Sequence, residues 1–485
     1  MNVKLKYVAL AVLLSLIGFS YGQNSPDYVL LKKDTVGTIT KTIVREYQKN
    51  SISYIERGGR HYFTAAIRTQ SSTCADCYDS VMLRTVEIDP RCSVNDFKIV
   101  NKAYLYFCGN LFDGLNYKGI VGFFKITDLL RNVSLDLNIH DNFEYHDQNA
   151  RDIVVNLNKI ELLYSRDRFR AITIGETKST RSCILELTMS DMGEQIGSYS
   201  VGVLNQIEER LNDIAVDLNE YVVTVGSIYN EGNASIRRFS RNSSIFLDSA
   251  LLNVVDTYPT NESVDSNINF VIENTKSIQI TPLLELQEDI VAIASYWYNP
   301  SIPSLGDDLQ GVLLRFFNLT TPGSPVMIAS MSIDQNYYNG GWELKELDYN
   351  PILQTFTLLQ DMEVSPTSRV SLVSAISFPG NTPTIQSSGY SDIEFTSFDE
   401  IPGTRHNVIS GYAKSVPTYF ILAGDKINSS YTCDGSSVNQ TITQKNTYWS
   451  KRYNEGMKVS TDVLSFNPQT CSNISSTYMV LSCQY

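Results

Sequence analysis

The sequence lacks any long apolar run beyond its first two dozen residues, and it has no basic cluster longer than Lys32-Lys33 or Arg237-Arg238. A membrane-spanning helix needs about 18 consecutive apolar residues, and phosphate binding needs clustered Lys and Arg. The formal net charge is −13. We therefore expect no direct membrane insertion of the mature chain, and neither nucleic acid nor anionic lipid as a partner.

The local motifs of common catalytic sites are also absent. The sequence has no Gly-x-Ser-x-Gly elbow, no His-Glu-x-x-His pair and no phosphate-binding loop. Its 52 acidic residues still leave paired carboxylates open, because the separation of about 5–9 Å that glycoside hydrolysis needs cannot be read from a sequence. The primary hypothesis is a binding protein that recognises an extracellular protein or carbohydrate. The alternative is a glycan-active hydrolase or lyase with carboxylates at a central channel.

The N-terminus has the features of a secretory signal peptide. Lys4 and Lys6 precede the apolar residues 8–19, and Ser20 and Gly22 provide the small residues of a cleavage site. We predict that residues 1–22 are removed and that the protein is secreted, or periplasmic or at the outer surface in a bacterium. Eight Asn-x-Ser/Thr sequons permit glycosylation in a eukaryotic host, at Asn132, Asn233, Asn242, Asn261, Asn318, Asn428, Asn439 and Asn473.

Eight cysteines remain after export, and an even count in an oxidising compartment favours disulfides over a zinc site. The candidates are Cys74, Cys77, Cys92, Cys108, Cys183, Cys433, Cys471 and Cys483. Three of them lie near the C-terminus, so the count predicts that Cys183 pairs with one of these three.

A strand-turn-strand pattern recurs seven times and is sharpest at residues 102–124 and 219–239. The first strong strand of each copy ends at one of seven positions, which are Ile67, Gly109, Gly175, Gly226, Ser295, Gln360 and Gly411. Their spacing of 42 to 69 residues suits four-stranded units with variable loops. Helical periodicity is nearly absent, and residues 125–131 and 203–211 are the predicted short helical turns.

At this level the chain resembles the β-propeller superfamily, although the signatures of WD40, kelch and sialidase blades are missing. The resemblance implies an all-β propeller with seven blades; six or eight blades are alternatives, and a pair of two-sheet sandwiches is the rival fold. We assign residues 23–424 to the propeller and expect residues 28–44 to supply a strand that closes the ring. Residues 425–485 are expected to form a cysteine-containing extension packed on the ring.

One segment has the composition of a divalent cation site. Residues 140–147 combine two imidazoles with three carboxylates, from His140, Asp141, Glu144, His146 and Asp147. The competing interpretation is a solvated acidic loop. No other cofactor is predicted.

Two further segments have the composition of a ligand-binding surface. One contains Tyr337, Tyr338, Asn339 and Trp342, and the other contains Tyr296, Trp297 and Tyr298. Aromatic rings on loops stack on sugar faces and anchor protein ligands, although the same rings are common between packed sheets.

Overall fold

The structure is a computed structural model of the chain. It describes residues 29–30, 39–48, 50–70, 78–101, 103–131, 134–147, 150–165, 168–189, 196–204, 209–216, 222–228, 233–239, 255–257, 272–283, 288–298, 311–318, 326–334, 342–350, 354–365, 368–377, 384–390, 393–400, 407–413, 418–424, 435–438, 441–444, 450–452, 457–463, 467–471, 473–477 and 481–482.

The first described strand, β1 (Val29–Leu30), precedes seven groups of strands that each build one antiparallel sheet, here called blades 1 to 7 in chain order. Blade 1 contains β2 (Ile39–Tyr47), β3 (Asn50–Arg57), β4 (Arg60–Gln70) and β5 (Tyr78–Ile88). Blade 2 contains β6 (Cys92–Val100), β7 (Tyr104–Phe112), β8 (Tyr117–Lys125) and β9 (Leu135–His140), with helix α1 (Ile126–Arg131) between the last two. Blade 3 contains a short leading strand, β10 (Glu144–Asp147), followed by β11 (Ala150–Ser165), β12 (Arg168–Thr177), β13 (Ser182–Met189) and β14 (Ile196–Leu204).

The remaining blades repeat the same meander. Blade 4 contains β15 (Glu209–Val216), β16 (Val222–Ile228), β17 (Asn233–Phe239) and β18 (Val255–Thr257). Blade 5 contains β19 (Ile272–Leu283), β20 (Glu288–Tyr298), β21 (Gly311–Asn318) and β22 (Val326–Asp334). Blade 6 contains β23 (Trp342–Asn350), β24 (Thr355–Ser365), β25 (Ser368–Ser377) and β26 (Thr384–Tyr390). Blade 7 contains β27 (Ile393–Glu400), β28 (Asn407–Ala413) and β29 (Thr418–Gly424).

The seven blades form a closed ring. The innermost strands β2, β6, β11, β15, β19, β23 and β27 each contact the next one, and β27 contacts β2. The strand β1 pairs with β29 through Val29 and Ile421, so the N-terminal segment supplies the fourth strand of the last blade, as predicted. The predicted all-β propeller is confirmed, and the sandwich alternative is wrong, because stacked sandwich sheets have no such cyclic contact.

The chain after Gly424 encircles this ring. Its strands, which we call the C-terminal belt, are β30 (Gly435–Val438), β31 (Thr441–Gln444), β32 (Ser450–Arg452), β33 (Met457–Val463), β34 (Asn467–Cys471), β35 (Asn473–Thr477) and β36 (Leu481–Ser482). Each adds an antiparallel outer strand to one blade, in the order 6, 5, 4, 3, 2, 1 and 7. The belt therefore covers the outer sheet edge of every blade, an edge that would otherwise be open to pairing with another chain.

Every innermost strand contains a β-bulge, and this bulge explains the repeat seen in the sequence. Gly109 lies on β7 opposite the bulge of β6, and Gly175 and Gly411 lie at the same place in blades 3 and 7. A Cβ atom at Gly109 would overlap the carbonyl oxygen of Ser93, and the other two glycines face equally close carbonyls. In these three blades glycine is required because the bulge brings the inner backbone against the second strand, whereas the other bulges leave room for a side chain.

Six of the seven predicted repeat positions occupy this place, and one does not. Ser295 and Gln360 face the bulges of blades 5 and 6, as Gly226 does in blade 4. In blade 1 the residue opposite the bulge is Arg57, so the assignment of Ile67 was one strand too late. Blade 1 has Arg57 and no glycine opposite its bulge, so the sequence pattern was assigned to the next apolar strand.

The hydrophobic core lies between neighbouring blades. The largest cluster joins blades 1 and 2 through Phe63, Phe97, Phe107 and Phe124, whose rings pack around Phe63 at centroid distances of 5.0 to 5.9 Å. Separate clusters join blades 2 and 3, blades 3 and 4, and blades 5 and 6. Each blade thus buries both faces only because it has neighbours.

The helical predictions had mixed outcomes. Helix α1 forms within residues 125–131, where Ile126 and Leu129 are buried against blade 1. Of the predicted turn at residues 203–211, residues 203–204 end β14 and residues 209–211 begin β15, while the residues between them lie outside the described residues. Leu204 and Leu211 belong to the same core cluster between blades 3 and 4.

Three of the predicted disulfide residues are buried thiols instead. Cys92, Cys108 and Cys183 are all fully buried and form no disulfide. Cys183 lies in the core between blades 2 and 3, on the third strand of blade 3, while Cys471 lies on the outer strand of blade 2. A small buried cysteine packs as an apolar residue, and parity alone could not reveal this. Cys74, Cys77, Cys433 and Cys483 lie outside the described residues.

We predict that substitution of the glycine opposite a bulge is much more costly than substitution of a turn glycine. Gly109→Ala should lower the free energy of unfolding by about 3 kcal/mol, because the methyl group overlaps backbone atoms that are fixed by the bulge. The control Gly59→Ala, at a turn with φ of +74° and open space around it, should cost only about 1 kcal/mol. Urea unfolding of both variants measures the difference, and equal costs would show that the bulge does not need glycine.

We also predict that the core thiols are inert in the folded protein. Burial raises the pKa of the Cys108 and Cys183 thiols above the usual value, so both should resist iodoacetamide until the protein is denatured. Peptide mapping without reduction should recover Cys183 as a free thiol. A Cys183 peptide linked to one from the C-terminal belt would contradict the structure.

Candidate functional site

The bulges of blades 1, 2, 3, 6 and 7 place polar side chains at the central channel. In blades 2, 3, 4, 6 and 7 the bulge residue and its successor are polar and stand between two apolar residues. The seven pairs are Thr40-Lys41, Asn95-Asp96, Asn158-Lys159, Asn212-Asp213, Lys276-Ser277, Lys345-Glu346 and Thr396-Ser397. This apolar-polar-polar-apolar pattern breaks the strand alternation, and it is the signal that could have located the channel residues from sequence.

Several of these pairs line a cavity of about 220 Å³ in the channel. Its cationic residues are Lys41, Arg45, Lys159 and Lys345, and its acidic residues are Asp96 and Glu346. The other lining residues are Thr40, Thr42, Ile43, Asn95, Thr396 and Ser397. The cavity is thus rich in positive charge within an acidic protein.

Arg45 is the charge at the centre of this lining. Its Nη2 atom donates to the Asp96 carboxylate at 2.8 Å, and its Nη1 atom lies 3.5 Å from Glu346 of blade 6. Nη1 also donates to the Val44 carbonyl. The guanidinium joins blade 1 to blades 2 and 6, and its burial makes this pairing obligatory.

The two cavity carboxylates also bind backbone N–H groups of the following blade. Asp96 accepts from Ile160 N at 3.2 Å, linking blade 2 to blade 3. Glu346 accepts from Phe398 N at 2.9 Å and from the Ser397 hydroxyl at 3.0 Å, linking blade 6 to blade 7. These N–H groups face away from their own sheet, so the carboxylates satisfy donors that would otherwise be unpaired.

A second set of inter-blade hydrogen bonds uses hydroxyl groups. In each case the backbone N–H of the residue just before a bulge donates to a hydroxyl of the preceding blade. The pairs are Val94 with Tyr54, Leu211 with Ser182, and Phe395 with Ser371, each at 3.2 Å.

Further ion pairs surround the cavity. Lys159 lies 4.0 Å from Asp213, and Lys345 lies 3.4 Å from Asp361 and 3.9 Å from Glu394. Three of the four cavity cations therefore have carboxylate partners.

Lys41 differs from the other three cations. Its ammonium group donates to the Asn95 side chain at 2.8 Å, and no carboxylate oxygen in the described part of the chain lies within 4 Å of it. Burial lowers the pKa of Lys41 to about 8, although Cys108, Glu56 and Asp96 act in the opposite direction.

The end of the ring where the innermost strands begin, here called the mouth face, carries an exposed apolar loop. The turn between β7 and β8 leaves Leu115 88% exposed, Tyr117 57% exposed and Phe112 40% exposed. The Phe112 and Tyr117 rings pack at 5.0 Å. Asp113 orders the turn by accepting from the backbone N–H of Leu115 at 2.9 Å.

The predicted cation ligands lie near this face but do not converge. The His140 ring is buried against Phe143, at a centroid distance of 4.5 Å, and Asp141 lies 3.8 Å from Lys118. Glu144 contacts His146 at 3.1 Å.

Arg151 also forms an ion pair with Glu144, so the charged residues of this segment pair with one another. Asp147 is described only by its backbone pairing with Ala150. Within the described ranges, no three His, Cys, Asp or Glu side chains gather as a metal site requires.

The predicted aromatic segments are described in part. Tyr296, Trp297 and Tyr298 are the last residues of β20, and Trp342 is the first residue of β23. All four positions therefore lie toward the mouth face, in adjacent blades. Tyr337, Tyr338 and Asn339 lie outside the described residues.

The comparisons with known proteins identify no family. No protein-family model matches the chain, and no curated protein sequence matches it. Among solved structures, the chain is similar to a periplasmic gluconolactonase of Pseudomonas aeruginosa, with a TM-score of 0.45 and 9% identity over 80% of this chain and 99% of that one. No helix in the described part of the chain is long and apolar enough to cross a membrane. The site is therefore interpreted from the chain's own residues.

We predict that the Arg45 network contributes strongly to stability. Asp96→Asn should lower the free energy of unfolding by about 3–5 kcal/mol, because it leaves the buried guanidinium with one weaker partner. The control Asp89→Asn breaks a 2.6 Å pair with the exposed Arg91 and should change stability little. Urea unfolding at pH 7 compares them. Equal, small losses would show that the channel charges are solvated.

Proposed function

We propose that the protein is an exported binding protein that recognises an extracellular protein ligand at its mouth face. The observation that carries the proposal is the exposed turn of Phe112, Leu115 and Tyr117, which is hydrogen-bonded to Asp113 yet presents apolar surface to water. Clustered exposed apolar side chains on a folded protein mark interaction sites, and aromatic residues dominate binding hot spots.

The order of this turn supports recognition because a preformed loop loses little entropy on binding. Asp113 accepts backbone N–H bonds from Leu115 and Asn116, and its own N–H donates to the Asn116 carbonyl. Gly114 has a φ of +100°, which favours glycine. Lys118 pairs with Asp113 at 3.6 Å and so fixes the base of the turn.

The alternative, a glycan-active hydrolase, is less well supported by the cavity carboxylates. A general acid for glycoside hydrolysis needs a raised pKa. Burial opposes ionisation of Asp96, but Arg45 and Lys159 outweigh it, so the pKa of Asp96 lies below its usual range. Glu346 is occupied by the Ser397 hydroxyl and by a backbone N–H. Both carboxylates hold the ring together instead of facing a substrate bond as an acid would.

A carbohydrate ligand is the second candidate. The strand ends that carry Tyr296, Trp297, Tyr298 and Trp342 bring four aromatic residues toward the mouth face, where a glycan would approach. Sugar binding there predicts a contact surface in blades 5 and 6, separate from the turn in blade 2.

The test is a binding screen of residues 23–485 on arrays of extracellular proteins and glycans, followed by analysis of bound glycans for cleavage. We expect a protein ligand whose affinity falls at least tenfold with Leu115→Asp, since a charge then enters the apolar contact. Because Leu115 is exposed, this variant should keep its thermal stability. The control Thr127→Asp changes an exposed residue of helix α1, at the other end of the ring, and should bind like the parent.

Two outcomes would overturn the proposal. Unchanged binding by Leu115→Asp would remove the turn from the interface and move attention to Trp342 and the β20 strand end. Cleavage of a bound glycan would establish the hydrolase instead.

A further inference from the structure

The channel cavity contains buried polar groups that the fold leaves unsatisfied. The Thr42 hydroxyl is buried and makes no hydrogen bond in the described part of the chain, and the same holds for the Nε atom of Arg45. Their residues are 2% and 8% exposed, and both line the cavity. A buried donor without a partner is costly, so these two atoms mark the wall of the cavity as polar.

The charges of the lining residues indicate which charge the ligand carries. Arg45, Lys159 and Lys345 have carboxylate partners, whereas the only close polar partner of Lys41 among the described residues is Asn95. Lys41 is therefore the lining cation with no carboxylate oxygen within 4 Å among the described residues. A ligand carboxylate would bring one negative charge to this ammonium group, whereas a doubly charged phosphate would bring a second charge close to Asp96 and Glu346.

The neutral lining residues and the volume of the cavity restrict the chemical class of the ligand further. Thr40, Thr396, Ser397 and Asn95 line the cavity with groups that both donate and accept hydrogen bonds, as ligand hydroxyls require. The cavity has a volume of about 220 Å³. It holds one small molecule or one terminal group of a larger ligand.

We propose that this cavity binds a small hydroxylated carboxylate, such as a hydroxy acid or a sugar acid, with Lys41 as the counter-ion of the carboxylate. This site is independent of the protein-binding turn, because it lies in the channel and uses other residues. A failed array screen therefore does not contradict the cavity proposal, and failure of the cavity proposal does not contradict protein binding at the turn.

Binding of the carboxylate would depend on pH through Lys41. The charged groups around it are Glu56 of β3, Asp96 of β6 and Lys159 of β11, with the Cys108 thiol on β7. Burial raises the pKa of the Cys108 thiol. Burial alone would lower the pKa of Lys159, but nearby carboxylates outweigh this effect and raise it.

His61 of blade 1 is also close enough to Lys41 to respond to its charge. Burial lowers the pKa of His61, so its imidazole stays neutral above pH 7. Between pH 7 and 9, Lys41 is therefore the group that changes charge, with its pKa of about 8 in the empty cavity.

The experiment is calorimetric titration of the folded protein with matched probes. D-glycerate and D-glucuronate carry a carboxylate and hydroxyls, glycerol and D-glucose carry hydroxyls alone, and propionate carries a carboxylate alone. We expect one of the hydroxy acids to bind at least tenfold more tightly than its neutral counterpart and than propionate. Its affinity should fall about tenfold from pH 7 to pH 9, because the neutral amine no longer pairs with the carboxylate.

Variants test the role of Lys41 directly. Lys41→Met should lose binding and should fold at least as stably, since it removes a buried charge that lacks a carboxylate partner. Lys178→Met, at an exposed position on the same face, is the matched control and should bind like the parent. Lys41→Arg keeps the charge at all these pH values, so it should bind with an affinity that no longer changes between pH 7 and 9.

The proposal is overturned by absence of binding of both hydroxy acids, by equal binding of propionate or the neutral probes, or by full binding in Lys41→Met. Should Lys41→Met fail to fold, an unchanged pH dependence in Lys41→Arg would overturn it instead.

Discussion

The inner β-bulge is the constraint on which the rest of this structure depends. A regular strand would point alternate side chains at the two neighbouring blades and would leave its inner backbone edge facing an empty channel. The bulge places polar residues at the channel in blades 1, 2, 3, 6 and 7. Carboxylates such as Asp96 and Glu346 can then accept backbone N–H groups from the next blade, while Arg45 pairs with both. Buried charge in this ring is thus a means of joining blades.

This arrangement also explains why the cavity is polar and cationic. The same bulge pairs that join blades contribute Lys41, Lys159 and Lys345 to the channel. Lys159 and Lys345 have carboxylate partners, whereas Lys41 has none within 4 Å among the described residues. The apolar turn on blade 2 is separate from this network, so the two proposed sites can be tested independently.

Local sequence patterns could predict the ring but not the pairing of the C-terminal belt or the residues of the channel. Gly109, Gly175 and Gly411 were visible because a close backbone contact excludes a side chain at these three positions. Cys183 was misassigned because a buried thiol and a half-cystine look alike in sequence. The channel residues were missed because convergence across seven strands is long-range, although the doubled polar residues at each bulge record it.

The C-terminal belt shows most clearly which strand pairings a local sequence pattern cannot predict. Its seven strands have two to seven residues each, and every one pairs with a strand far away in sequence. Such strands carry no core of their own and little alternation, so nothing local marks their partners. The belt and β1 meet in blade 7, where Val29 pairs with both Ile421 and Ser482, and this joins the two ends of the chain in one sheet.

Native-state hydrogen exchange at three inner-strand amides tests most directly whether buried channel carboxylates join the blades. The N–H groups of Ile160, Phe398 and Glu46 donate to side-chain carboxylates of a neighbouring blade, and Glu46 does so to Asp399 at 2.7 Å. The account predicts that these amides exchange only with global unfolding, like those of the sheet interiors. Fast exchange, similar to that of the exposed turn at Gly59, would show that water fills the channel and that these charges do not join the blades.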